Sequence, residues 1–196
     1  TNVYIQPSDS TKIDPEFLSR EVEVLVRGRF HAVGTAAQPI IFAPLGDDDQ
    51  AILWSGLQVV DSDDVQLTQV IIEQAETGLL CLDSSPMVDA LQVRRSRYGV
   101  ILQQQSAPII TNSLITEGEA GVFCWDQSAP RLSATQIVDL QEEGLYLARH
   151  CRGTFRNNSI EKNDRGVVLP NELDFDASNR VSGNRLDYVR YSQGVN

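Results

Sequence analysis

Asp61, Asp83 and Asp126 recur at one place in a repeating pattern, each five residues after a glycine. Carboxylates on neighbouring strands of a sheet stand about 4.8 Å apart. Such a pair could divide the work of acid and base, or hold calcium. The other members of the row are Gln104, Arg149 and Asn171. A structural role fits the same row, because Asp, Asn and Gln at strand ends bond the turn backbone. The adjacent Asp47, Asp48 and Asp49 lack the spaced oxygen donors of a calcium loop and read as a solvated turn. With three cysteines, two histidines and no CxxC pair, the chain gives a zinc site little support. The expectation is no catalytic set, no metal and no cofactor.

A second candidate site is apolar. Two residues after the glycines stand Leu80, Ile101, Phe123 and Tyr146, and four after them stand Leu82 and Trp125. By alternation these positions face away from the core and ought to be polar. An exposed apolar and partly aromatic patch marks a protein partner or a glycan, since rings anchor interfaces and stack on sugars. Cover by another part of the chain, or by a second copy of it, is the alternative. Arginines gather at Arg94, Arg95 and Arg97, and again at Arg149, Arg152 and Arg156. They would either grip an acidic partner or be neutralised by neighbouring Asp and Glu.

Both sites depend on the elements that carry the pattern. Gly56, Gly78, Gly99, Gly121, Gly144 and Gly166 are separated by 22, 21, 22, 23 and 22 residues. Each opens a short apolar run, such as GLQVV, GVFCW or GLYLA. A fixed period with one strand signature per repeat means stacked coils. Two inward rows follow each glycine: Leu57, Leu79, Val100, Val122, Leu145 and Val167, then Val59, Cys81, Leu102, Cys124, Leu147 and Leu169. A further row runs through Leu67, Val88, Ile110, Leu132, Phe155 and Phe175, and another through Ile72, Val93, Ile115, Ile137, Ile160 and Val181. The pattern predicts an all-β solenoid with three short strands and three turns per coil of about 22 residues. SSP at 84–86 and SAP at 106–108 and 128–130 mark one turn. Asn112, Asn157, Asn158 and Asn179 suit the left-handed backbone of another. Each glycine is expected to take a positive φ or to let a neighbouring coil approach closely. An α-solenoid needs two helices per repeat, which 22 residues cannot hold. On this frame Cys81 and Cys124 lie two coils apart, roughly 9–10 Å by coil spacing. That exceeds the reach of a disulfide, so both are expected as buried thiols. Cys151, near a turn beside His150, is expected to be structural or incidental.

The phrases GLLCLDSSPMVDALQV, GVILQQQSAPIITNSLI, GVFCWDQSAPRLSATQI and FRNNSIEKNDRGVVL resemble repeats of the right-handed parallel β-helix. They resemble the pectate-lyase-like superfamily, and within it the group of carbohydrate-binding proteins and sugar hydrolases. VRGRFHAVGTAAQPIIFAP followed by LWSGLQV is similar to the first coils of bacterial cell-envelope β-helix proteins. The resemblance covers residues 22–184, with 1–21 as an N-terminal cap and 185–196 as a C-terminal cap or tail. A helix starting near Asp14 and Pro15 would cover the first edge. The family's catalytic signatures are missing: there is no NTD, GHG, RIK or RxPxxR, and Asp14-Pro15 is followed by Glu16 rather than His. The resemblance therefore implies a non-catalytic scaffold or binding module in the periplasm or at the cell surface. It would dock a protein partner or an envelope assembly, with polysaccharide binding or cleavage by the stacked carboxylates as the alternative.

The bulk numbers limit the partners further. Net charge is −11, from 27 acidic and 16 basic residues, which argues against nucleic acid or an anionic membrane surface as ligand. No stretch approaches the 18 apolar residues or so that a membrane span requires. The opening TNVYIQPSDS does not read as a signal peptide, which fits a mature or trimmed chain.

Overall fold

The computed structural model describes residues 2–5, 23–45 and 54–192. The proposed cap helix near Asp14, the acidic loop at Asp47 and the last four residues lie outside the described residues. Everything described is strand, turn or bend, with no helix. The strands form three parallel sheets of eight, six and eight members. The first sheet holds the glycine-led strands, from Glu23–Val26 through Gly56–Val60, Thr77–Leu82, Tyr98–Gln103, Ala120–Cys124, Glu143–Leu147 and Arg165–Pro170 to Leu186–Tyr191. The second runs from Phe30–Val33 to Thr154–Arg156, and the third ends at Ser159–Glu161 and Arg180–Val181. Each strand pairs with its equivalent one coil on, as in Leu57 with Leu79 and Val100 with Val122. Eight strands at about 4.8 Å give a rod of about 34 Å along the first sheet.

The inward rows pack as expected. Leu57, Leu79, Val100, Leu102, Leu145, Ile137 and Ile160 are all fully buried. Phe175 belongs to no strand, yet its ring leans on Phe155 at 6.2 Å and so continues the second row by its side chain. The row pattern also reaches beyond residue 184. Leu186–Tyr191 adds the last strand of the first sheet, with Val167 opposite Tyr188 and Leu169 opposite Arg190. At that end the inward positions carry Tyr188 and Arg190, whose guanidinium donates to the carbonyls of Asn171 and Leu173.

Three corners per coil turn through left-handed residues. The first corner has Asp61, Asp83, Gln104 and Asp126, with φ of 48°, 46°, 52° and 48°. The second has Gln69, Ala90, Asn112, Ala134 and Asn157, and the third Gln74, Arg95, Glu117, Asp139 and Lys162. The inward residue that follows each corner, one or two positions on, is in many coils polar and buried. Their side chains accept the backbone N–H of the equivalent residue one coil back. Ser84 Oγ takes the N–H of Ser62 at 3.1 Å, Asn158 Oδ1 that of Thr135 at 3.1 Å, and Asn163 Oδ1 that of Leu140 at 3.1 Å. This corrects the expectation for two asparagines. Asn112 and Asn157 are left-handed, but Asn158 and Asn179 are buried members of a polar row, because corner amides pointing along the rod need acceptors inside it.

Of the repeat glycines only Gly56 has positive φ, at 107°. The others answer to close approach. A Cβ on Gly99 would stand 2.5 Å from Ile115 Cγ2 and 2.7 Å from the carbonyl oxygen of Gly121.

The cysteines depart from expectation. Cys81 is a buried free thiol, as expected, but Cys124 is joined to Cys151. Cys151 occupies the inward corner row of Ser62, Ser84, Ser106 and Ser128, one coil beyond Ser128. Its N–H donates to Ala148 as that of Ser128 does to Trp125, so both turns fold alike. That row lies beside the inward row of Cys124, with a Cα–Cα separation of 5.5 Å.

Candidate functional site

The outward face of the first sheet is where the apolar row stands. Leu80, Ile101, Phe123 and Tyr146 are register partners on four successive strands, and all are half-buried. Trp125 follows Cys124 and is half-buried as well. Leu82 shares the face but is only 4% exposed, so it offers no accessible contact.

The rings touch one another. Phe123 lies 5.5 Å from Tyr146 with planes inclined by 29°, and meets Trp125 edge-on at 5.8 Å. Trp125 meets Tyr146 edge-on at 6.3 Å. Two further rings join them. Tyr98 stands edge-on to Phe123 at 5.7 Å, and Tyr191 lies 6.0 Å from Tyr146 with planes within 7° of parallel. Tyr191 comes from the last strand and reaches across Arg165–Pro170, over Val168, which is buried on this outward side. Its hydroxyl donates to the carbonyl of Leu147 at 2.9 Å. Burial, then the hydrogen bond with Tyr146, pushes the Tyr191 phenol well above its ordinary range. Tyr98 escapes a count in twos from the glycine because alternation breaks at that residue. Tyr191 escapes it because its strand lies past the last repeat glycine.

Charges border the rings. The Arg97 guanidinium lies 5.0 Å over the Tyr98 ring, with Nη1 2.8 Å from Glu76 and Nε 3.1 Å from Glu119. Arg149 pairs with Glu172 at 3.5 Å, beside Tyr191. The arginine clusters are thus largely neutralised by carboxylates: Glu73 receives Arg95 at 3.1 Å and Asp176 receives Arg156 at 3.2 Å.

The carboxylate row is placed at the first corner. Asp61, Asp83 and Asp126 are exposed, left-handed turn residues, and Gln104 separates Asp83 from Asp126 along the rod. No side-chain hydrogen bond or ion pair joins them. Among the described residues no three of His, Cys, Asp or Glu gather closely enough to hold a metal ion. A separate cluster near the first coil was not legible in the repeat. His31 Nε2 lies 2.9 Å from Asp64 and Arg29 Nε 2.5 Å from it, and these two hold the Asp64 carboxyl below its usual range. A cavity of about 390 Å³ opens near the other end, over Phe155, Phe175 and Cys151.

Three stacked parallel sheets with a period near 22 define a parallel β-solenoid. The chain belongs to the right-handed beta helix region family, whose model matches residues 50–188. No curated protein and no solved structure matches it. No helix among the described residues is long and apolar enough to cross a membrane.

Proposed function

We propose that this β-helix is a non-catalytic docking module that seats a protein partner on the outward aromatic face of its first sheet. The observation behind this reading is the contact among Tyr98, Phe123, Trp125, Tyr146 and Tyr191 on a face where alternation calls for polar residues. A rigid rod presents such rings with little ordering left to do on association. We also place the module outside the cytoplasm, in the periplasm or at the cell surface. The Cys124–Cys151 disulfide supports that placement, since such bonds persist in oxidising compartments.

The test is a crosslinking pull-down from native envelope extract, comparing wild type with Trp125→Ala, both checked for fold by circular dichroism. Truncating a central ring of an interface weakens association by about 2 kcal/mol or more, roughly 30-fold. The partner should be captured by wild type and lost from the variant. Equal capture by both removes the face from the reading. Polysaccharide binding is the second reading, favoured by the row of rings spaced 5.5 to 6.0 Å apart. It predicts retained polysaccharide instead of protein. If that polymer were also cleaved, Asp83→Asn with Asp126→Asn should abolish turnover.

A further inference from the structure

We infer that the Tyr98 end of the aromatic face receives a guanidinium from a basic, arginine-bearing segment of the protein partner. The inference rests on reading that face as a docking surface and adds the chemistry of what it docks. Its first support is local charge. Glu76, Glu119 and Glu142 all stand close enough to act electrostatically on the Tyr98 phenol, and Arg97 is the cation among them. That cation is already engaged by Glu76 and Glu119. Glu142 is exposed and has no ion pair or side-chain hydrogen bond among the described residues. Three carboxylates and one guanidinium act on the Tyr98 ring, an excess of negative charge around it. The molecule as a whole carries −11, which draws a basic partner in from a distance.

The second support is a precedent within the same patch. Arg97 holds its guanidinium 5.0 Å over the Tyr98 ring, between two carboxylates. Phe123 and Trp125 extend the ring surface from there at 5.7 and 5.8 Å centroid spacing. A cation over an aromatic face is attracted by the ring quadrupole. Arginine suits the place better than lysine, because its planar and weakly hydrated head stacks on a ring while its fork reaches a carboxylate. An acidic or purely aliphatic partner segment would leave Glu142 facing a like charge or nothing.

The experiment is calorimetric titration of the full chain with an eight-residue peptide of alternating arginine and leucine. The same peptide with citrulline for arginine keeps the shape and removes the charge. The arginine peptide should bind at least about tenfold more tightly than the citrulline one, and more weakly as salt rises. Glu142→Gln should weaken it about three- to fivefold, the upper part of the range of an exposed ion pair. Asp63→Asn, the same loss of charge at an exposed site elsewhere, should leave it unchanged. Equal affinity for both peptides overturns the guanidinium while leaving the docking face standing. Equal weakening by Asp63→Asn overturns it too, by reducing the effect to net charge. Binding of neither peptide also overturns it, and the pull-down with Trp125→Ala then judges the face by itself.

Discussion

Tyr191 shows how a single residue can finish a surface begun by others. Its ring lies parallel to Tyr146 across an intervening strand, and its hydroxyl finds the Leu147 carbonyl at 2.9 Å. Tyr191→Phe keeps the ring and removes only that bond. It should lower stability by about 1 kcal/mol, the net worth of one such bond. Urea denaturation would measure it, and an unchanged midpoint would mean the hydroxyl is as well served by water. At this scale the sequence is legible where a residue obeys the repeat. Phe123, Trp125 and Tyr146 follow from counting in twos after a glycine. Tyr98 does not, because it precedes the glycine, where close approach of neighbouring coils disturbs the alternation. Asn158 and Asn179 mislead for a related reason. Asparagine suits both a left-handed corner and a buried acceptor row, and composition alone does not say which of two adjacent positions is the corner.

The coil is the element of this molecule, and its corners explain both what the repeat revealed and what it hid. The inward apolar rows are visible because every coil must fill the same space, and Leu57 to Val167 do so without a break. The corner rows are harder to read. They tolerate Ser, Thr, Asn and Cys alike, since each is small and can face a corner amide or pack beside it. Cys151 took the serine place one coil after Ser128, and a search for pairs within one row could not find its link to Cys124. Alignment of the corner rows, rather than of the glycines, is the signal that could have found it. The bond closes a loop with a sequence separation of 27, which in the chain-entropy account is worth about 3.5 kcal/mol. Alkylation followed by mass measurement tests the pairing. Native protein should take no label, since Cys81 is buried and burial pushes its thiol far up. Denatured but unreduced protein should take one label and reduced protein three. Three labels without reductant would mean free thiols throughout. Cys151→Ser should cost most of that stability and lower the melting temperature, with the aromatic face losing order first around Phe123 and Trp125, the neighbours of Cys124.

At the scale of the whole rod, coils contact only their neighbours, so the ends are where stability is thinnest. The carboxylates held below their ordinary range lie there. Asp64 is held by His31 and Arg29 near the first coil. Asp164 is held by Arg185, and Asp176 by Ser178 and Arg156, in the last two. In each case the folded chain favours the charged form, so the unfolded chain takes up its proton at a higher pH. The stabilisation is complete above the ordinary value of 3.8 and is lost as pH falls from there through the lower folded value. Acid should therefore release the ends first. The Asp164–Arg185 pair ties Arg165–Pro170 to Leu186–Tyr191, and that last strand carries Tyr191. Hydrogen exchange normalised to the intrinsic rate at each pH should show uptake rising below about pH 3.8 in residues 23–33 and 180–191. Residues 79–147 should stay protected. Simultaneous loss along the whole chain would mean that the coils unfold as one cooperative unit despite their linear stacking. Ordered loss carries a consequence for the aromatic face: its Tyr191 side should open before its Tyr98 side. Partner contacts at the last coil should then be the first that the face loses to unfolding as the pH falls.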